Sequence, residues 1–210
     1  MLISTTNNFS GTKEFKSSPP GSHLGRLYKI VDLGTQQGEW EGKATYARKM
    51  IFYFELHGED DKGQPLINDD GKPLIVTKYY NASLGEKATL RKHLQTWLNL
   101  DFSKMPEGFK VENILGKFAM INVTTYQKDG KTRASVEGLS AVPAIVQKHG
   151  LPEGINDIFM FDLNKYDDAK FDLLSDGIKK MIVSSPEYRA LMKKSEPVAL
   201  DDFPNDDVPF

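Results

Sequence analysis

The 210-residue chain contains no cysteine, so disulfides, thiolate metal sites and a cysteine nucleophile are excluded. It also lacks an apolar run long enough for a signal peptide or a membrane span, and we therefore expect a cytoplasmic protein. Glycine-rich phosphate loops and the Gly-x-Ser-x-Gly nucleophile motif are missing as well. The chain has four histidines, at His23, His57, His93 and His149. No two of them have the close spacing with which a pair of histidines binds a metal ion. We expect neither an enzyme nor a bound metal or cofactor.

The chain as a whole has nearly equal numbers of positive and negative side chains, but its parts do not. The 27 Lys and Arg residues stand against 29 Asp and Glu, which gives a formal net charge of −2 and argues against a strongly basic nucleic-acid binder. Residues 1–150, however, carry 20 basic and 16 acidic side chains, whereas residues 196–210 carry five acidic ones and no Lys or Arg. Such an acidic end on a mildly basic body is typical of an interaction tail.

Hydrophobic patterning predicts the element order β-β-β-α-β-β. The predicted strands are residues 26–33, 48–56, 73–81, 115–125 and 132–139. A helix is predicted to begin at Ser83, which has Glu86 at the capping-box spacing. The glycine- and charge-rich residues 34–43 predict a long loop between the first two strands. This order is the one expected of a five-stranded OB barrel, whose usual ligands are oligonucleotides and oligosaccharides, although other small barrels and α+β domains have similar orders.

The same patterns divide the chain into four parts. The composition of residues 1–19, in which Ser, Thr, Asn and Gly dominate, predicts a flexible arm. Residues 20–142 are the predicted barrel, and residues 143–195 are a helical appendage with apolar residues at helical spacing. Residues 196–210 are the acidic tail. The fold class is therefore mainly β with α, and the appendage is expected either to pack on the barrel or to mediate self-association.

Basic and aromatic residues are interleaved on the elements that form the ligand groove of an OB barrel, namely strands two and three and the loops after strands one and four. Cations there would follow phosphates, and exposed rings would stack on bases. The candidate nucleic-acid-binding residues are Arg26, Trp40, Lys43, Tyr46, Arg48, Lys49, Tyr53, Lys78, Tyr79, Tyr80, Tyr126, Lys128, Lys131 and Arg133. The alternative for each tyrosine is an ordinary core position, as expected for Phe52, Phe54 and Trp97.

The chain ends in an apolar anchor preceded by carboxylates, a combination that suits a hydrophobic pocket rimmed by Arg and Lys. The candidate partner-binding residues are Asp206, Asp207, Val208, Pro209 and Phe210. We also expect this tail to compete with DNA for the basic groove, because the two carry opposite charge. The alternative is an ordinary solubilising terminus.

Two resemblances to known families accompany these patterns. Residues 206–210 resemble the acidic tip, ending in Ile-Pro-Phe, of bacterial single-stranded DNA-binding proteins, with Val208 in place of Ile and Asn205 where another Asp is common. Residues 19–140 resemble a family of tailed-phage replication proteins regarded as OB-fold single-stranded DNA-binding proteins. The residues that carry this second resemblance are Pro20, Gly21, Arg26, 30–36, 81–84, Lys87, Trp97 and, more loosely, 184–188.

The resemblances imply a protein that binds and protects single-stranded DNA during phage replication, recombination and repair in a bacterial cytoplasm. They also imply polymerase, primase, helicase or nuclease partners that bind the tip. The alternatives are a protein–protein adaptor, such as a helicase or recombinase loader, and an OB-fold nuclease. We expect no membrane partner, and the sequence leaves a homo-oligomer open.

Overall fold

A long hairpin opens the fold in the computed structural model, which describes residues 16–105 and 108–195. Strand β1 (Gly21–Trp40) and strand β2 (Lys43–His57) are joined by Glu41 and Gly42 alone. These two residues have φ values of 50° and 74°, as a type I′ turn requires, and that turn matches the twist of paired strands. The predicted loop at 34–43 is therefore wrong. The end of the hairpin is exposed, and it has no buried face to produce an alternating pattern.

The remaining elements that were predicted individually are present with shifted ends, as β3 (Ile75–Asn81), α1 (Thr89–Leu98), β4 (Phe118–Lys128) and β5 (Lys131–Ser140). The chain after them forms α2 (Ala144–Lys148), a short strand β6 (Phe159–Phe161), α3 (Asp168–Asp172), α4 (Asp176–Val183) and α5 (Pro186–Ser195). The predicted helix start at Ser83 is wrong, because its hydroxyl accepts a hydrogen bond from the Gly85 amide at 3.2 Å within a turn. The helix begins six residues later.

The strands form one antiparallel six-stranded sheet, with the path β3-β2-β1-β4-β5 and with β6 paired to β1. The register of β1 on β4 runs from Gly21 opposite Val123 to Arg26 opposite Phe118. Within the described residues the sheet is open, since β3 and β5 end the path without pairing to each other. The fold is mainly β with helices, as predicted, but it is not the closed five-stranded barrel that we expected.

The described chain consists of two compact units. The first unit contains the residues up to Val31 together with Met50–Met160, and the second contains Asp32–Lys49 together with the residues from Phe161 onward. Strands β1 and β2 each run from one unit into the other. These units do not coincide with the predicted boundary after residue 142.

The apolar core of the first unit lies between the sheet and α1. Phe52 and Phe54 are fully buried, and the Phe54 ring lies 5.9 Å from that of Trp97, which confirms the core positions predicted for all three. Two side chains of α1 also bond to strand backbone: Trp97 Nε1 donates to the Phe118 carbonyl at 2.7 Å, and the Thr96 hydroxyl donates to the Leu139 carbonyl at 2.6 Å. These bonds fix the helix against β4 and β5.

A fully buried carboxylate, that of Glu55, lies on the other face of the sheet. It accepts hydrogen bonds from the Ile155 amide at 3.0 Å and from the amide and side chain of Asn156 at 2.7 and 2.6 Å. Arg26 Nε lies 2.7 Å away, and His57 Nε2 lies 3.2 Å away. Burial opposes ionisation of Glu55, but the Asn156 and Ile155 bonds and the Arg26 charge hold its pKa below the ordinary value.

In the second unit, the far end of the hairpin is bonded to α4 and α5. The amide and hydroxyl of Thr35 donate to the Glu187 carboxylate at 2.9 and 2.6 Å, and Gln36 Nε2 donates to the Met181 carbonyl at 2.8 Å. Gly34, at φ 67°, packs so closely that an added Cβ would lie 2.6 Å from the Cβ of Ser185. The motif segments 30–36 and 184–188 of the phage-protein resemblance therefore meet at this contact.

We predict that Glu55→Ala lowers the free energy of unfolding by about 3–5 kcal/mol, because it leaves the buried Arg26 without its counter-charge. Urea unfolding monitored by circular dichroism measures the change. The exposed Glu59 on the following turn is the matched control, and Glu59→Ala should change stability by less than about 0.5 kcal/mol. Equal losses in the two variants would contradict a structural role for the Glu55 cluster.

We also predict that Gly34→Ala destabilises the protein more than Gly42→Ala does. Both glycines have positive φ, but an added Cβ at Gly42 has no atom within 4 Å, whereas at Gly34 it would overlap Ser185. Both substitutions carry the left-handed backbone penalty, and only Gly34→Ala adds overpacking, which costs about 1–3 kcal/mol. Urea midpoints of the two variants measure the difference, and equal midpoints would show that the close packing does not matter.

Candidate nucleic-acid interface

A row of tyrosines crosses the outer face of the first unit, one from each of three neighbouring strands. Tyr28 on β1 is buried, and its ring lies 6.4 Å from that of the half-buried Tyr53 on β2. Tyr79 on β3 is 48% exposed. Burial raises the pKa of Tyr53 to about 12, and the negative charge of an ionised Tyr79 adds to this rise, so the two phenols are electrostatically coupled. The rings thus become more accessible from β1 to β3.

Lys29 places a cation among these rings. Its Nζ lies 5.1 Å from the centre of the Tyr53 ring and 4.7 Å from that of Phe159, and burial lowers its pKa. Such contacts stabilise a cation held partly away from water. The face therefore combines exposed ring surface with a fixed positive charge, which suits an anionic ligand that carries flat bases.

A cleft of about 770 Å³ begins where β3 ends. Its lining residues come from β3 and from the turn before α1, and they are Lys78, Tyr79, Tyr80, Asn81, Ser83, Gly85, Glu86, Lys87, Ala88 and Thr89. Lys87 is exposed and Lys78 is half-buried. The ring of Tyr79 thus borders a polar cleft with two ammonium groups, where phosphates and bases could be contacted together.

The inward side of β3 is joined to α1 through one histidine. The Tyr80 hydroxyl is hydrogen-bonded to His93 Nδ1 at 2.8 Å, and the His93 ring also bonds to the backbone of Glu137 on β5. Burial and the nearby charge of Lys78 lower the pKa of His93, against the opposing effect of Glu137. One neutral imidazole therefore links β3, α1 and β5.

The end of the β4–β5 hairpin presents a second cationic and aromatic surface of the first unit. Tyr126 lies opposite Arg133, and Lys128 lies opposite Lys131 across the turn, with all four side chains exposed. Asp129 is the nearby acid, and its carboxylate lies 3.9 Å from the Arg133 guanidinium. An exposed pair at this distance contributes little and leaves the cations accessible to phosphate.

In the second unit, the tip of the β1–β2 hairpin carries Trp40, Lys43 and Tyr46. All three are exposed, and 70% of Trp40 is open to solvent. Lys49, further along β2, is half-buried. A tryptophan with this exposure beside a lysine offers a surface on which a base can stack.

Three of the predicted binding residues are engaged in contacts within their own units. Arg26 is largely buried and bonded to Glu55 and to the Asn156 carbonyl. Tyr80 is a core residue with 2% exposure, and burial raises its pKa. Arg48 Nε donates to the Asp32 carboxylate at 3.1 Å, and this bond raises the pKa of Arg48. The residues that these side chains contact are not their neighbours in the sequence, so local sequence patterns did not reveal the contacts.

Sequence reasoning missed two cations of the interface. Lys29 lies in a strand that its alternating pattern predicts, and Phe159, its partner ring, is 130 residues away in the chain. Lys87 entered only through the resemblance, because it was placed inside a helix that does not reach it. The only sequence signal for a role of Lys29 at the interface was its position next to Tyr28 in a predicted strand.

The five predicted partner-binding residues, 206–210, lie outside the described residues. Within residues 16–105 and 108–195, no helix is long and apolar enough to cross a membrane. The same part of the chain contains no group of three or more His, Asp or Glu side chains arranged to hold a metal ion.

Comparison with known proteins adds no family: no protein-family model matches the chain, and no curated protein matches it.

We predict that acidification destabilises the protein through His93. Its lowered pKa means that the folded state binds fewer protons than the unfolded state, so this contribution is complete above about pH 6.5 and is lost as the pH falls below it. His93→Asn, which keeps an acceptor for Tyr80, should be less stable at pH 7.5 but lose less stability by pH 5.5. Urea unfolding at both pH values measures this, and parallel losses in the two proteins would exclude His93 as the cause.

Proposed function

We propose that this protein binds single-stranded DNA, largely without sequence specificity, on the outer face of β2 and β3. The observation that carries the proposal is the half-exposed Tyr79 ring, which continues the row from Tyr53 and borders the cleft that contains Lys78 and Lys87. Stacking of a base on an aromatic side chain contributes about 1–3 kcal/mol whatever the base, and lysines follow the phosphates. Rings and ammonium groups at one cleft suit a flexible, unpaired strand.

We further propose that the five long strands form an OB-type, partly open barrel. The path β3-β2-β1-β4-β5 supports this, since an OB barrel closes by bringing β3 towards β5. In this protein β3 and β5 approach each other, and α1 bonds to both through His93. The helix would thus bridge the seam that backbone hydrogen bonds leave open.

The two hairpin ends support the same assignment, each within its own unit. In OB folds the loops after the first and fourth strands contact the ligand. In this chain those positions are Trp40 and Lys43 in one hairpin, and Tyr126, Lys128 and Lys131 in the other. All five side chains are exposed, so none has to leave a packed position to bind a strand.

The biological role that we propose is phage DNA replication, recombination and repair, with recruitment of polymerase, primase, helicase or nuclease partners through residues 206–210. Its support is the sequence resemblance and the acidic, phenylalanine-containing composition of that segment. An adaptor that binds protein rather than DNA is the competing function, and the DNA experiment below separates the two.

Tyr79→Ala should weaken binding of oligo-dT about tenfold, because one stacking platform is lost. Fluorescence anisotropy with labelled oligo-dT at low salt measures the affinity, and duplex of equal length should bind much more weakly to the wild type. Lys78→Ala with Lys87→Ala should reduce the slope of log affinity against log salt, because fewer counterions are released.

Ile75→Ala is the matched control for Tyr79→Ala. Ile75 lies on the same strand and face with 44% exposure, so it tests loss of side-chain surface without loss of a ring. Tyr79→Phe should bind as the wild type does, since stacking needs the ring and not the hydroxyl. Undiminished binding by Tyr79→Ala would remove this face as the interface, and absence of oligo-dT binding by the wild type would favour the adaptor.

A further inference from the structure

A second cleft, of about 720 Å³, lies in the second unit on the surface of α4 and α5. Its lining residues are Phe171, Lys179, Lys180, Val183, Ser184, Tyr188, Arg189, Met192 and Lys193. The DNA interface proposed above uses none of them. The cleft combines an apolar floor with a cationic rim, and each part indicates what would fill it.

The floor of the cleft is aromatic and aliphatic. The rings of Phe171 and Tyr188 are stacked at 5.7 Å with an interplanar angle of 22°. Val183, on the last turn of α4, is 44% exposed beside them. Apolar surface of this kind in a concave site suits an aromatic or aliphatic side chain of a ligand.

The rim of the cleft is positive, and no carboxylate is among its lining residues. The four cations are Lys179, Lys180, Arg189 and Lys193. Lys179 Nζ lies 3.4 Å from the carboxylate of Asp172, which is 79% exposed, so this pair is screened by water and exchanges readily. A ligand with several carboxylates around an apolar anchor would therefore match both the rim and the floor.

We propose that residues 201–210 of the same chain dock in this cleft, with Phe210 on the apolar floor. The segment contains four aspartates, Asp201, Asp202, Asp206 and Asp207, against the four cations of the rim. It also contains Phe203 and Phe210 as apolar anchors and has no cation of its own. Charge and apolar character of the two surfaces are thus complementary.

The length of the chain permits this contact within one molecule. Helix α5 ends at Ser195, and its ten residues are about 15 Å long. An extended chain advances about 3.3 Å per residue, so about five residues, 196–200, are enough to return along the helix. Residues 201–210 then remain to occupy the cleft.

This docking site would control access to the tail. The basic groove, which is expected to compete for the tail, offers cations. This cleft offers cations and also an apolar surface that the phenylalanine ring can contact. A partner that binds residues 201–210 must displace them from the cleft. The segment would therefore stay bound to the cleft until a partner competes for it. The inference does not depend on the proposed DNA binding, because neither the cleft nor its test involves DNA.

A disulfide trap tests the proposal in the full chain, which has no native cysteine to interfere. Val183→Cys combined with Val208→Cys places one thiol at the floor of the cleft and one two residues before Phe210. Under mild oxidation, we expect an intramolecular disulfide to form about tenfold faster than in the control, because docking raises the effective concentration of the thiols. Mass spectrometry and non-reducing gels separate it from linked dimers.

The matched control combines Val208→Cys with Ala169→Cys, an exposed α3 residue that does not line the cleft. Adding Lys180→Glu and Arg189→Glu to the trap should reduce its rate to that of the control. Further exchange of Asp206 and Asp207 for Lys should restore the rate, which a folding defect would not allow. A trap rate equal to the control, or disulfides only between molecules, would overturn the proposal.

Discussion

The buried Glu55 carboxylate holds the segment after α2 against the outer face of the sheet. A charge without solvent contact is stable only when hydrogen bonds and an opposite charge surround it. Arg26 from β1 and the amides of residues 155 and 156 meet that requirement, and they bring the segment after α2 across the β1–β2 end of the outer face. The β2–β3 end of that face is the part on which Tyr79 stays half-exposed.

The parts of the fold that follow from local pattern were predictable, and the parts that depend on distant partners were not. Strands β3 and β5 were located within two residues, and buried and exposed positions alternate along most of β3. The outer half of the β1–β2 hairpin has no such alternation, so its glycines and charges indicated a loop. Arg26 and Arg48 look like free cations in sequence, because the acids that bind them, Glu55 and Asp32, give no local signal.

The residues that carry the phage-protein resemblance divide into two kinds. Thr35 and Gln36 bond to Glu187 and to the Met181 carbonyl, and Gly34 packs against Ser185, so residues 34–36 are held against α4 and α5 within the second unit. Lys87 lines the β3–α1 cleft and is exposed. Residues 34–36 therefore pack within the second unit, whereas Lys87 is accessible to solvent.

The way α1 joins β3 to β5 makes the spacing of these two strands adjustable. A ladder of backbone hydrogen bonds would hold two strands at one spacing whatever their side chains. Here the spacing depends on His93 and on the Thr96 bond to the Leu139 carbonyl, which are side-chain contacts of a single helix. Single substitutions in α1 would thus widen or narrow the neighbouring cleft without removing a backbone hydrogen bond from any strand.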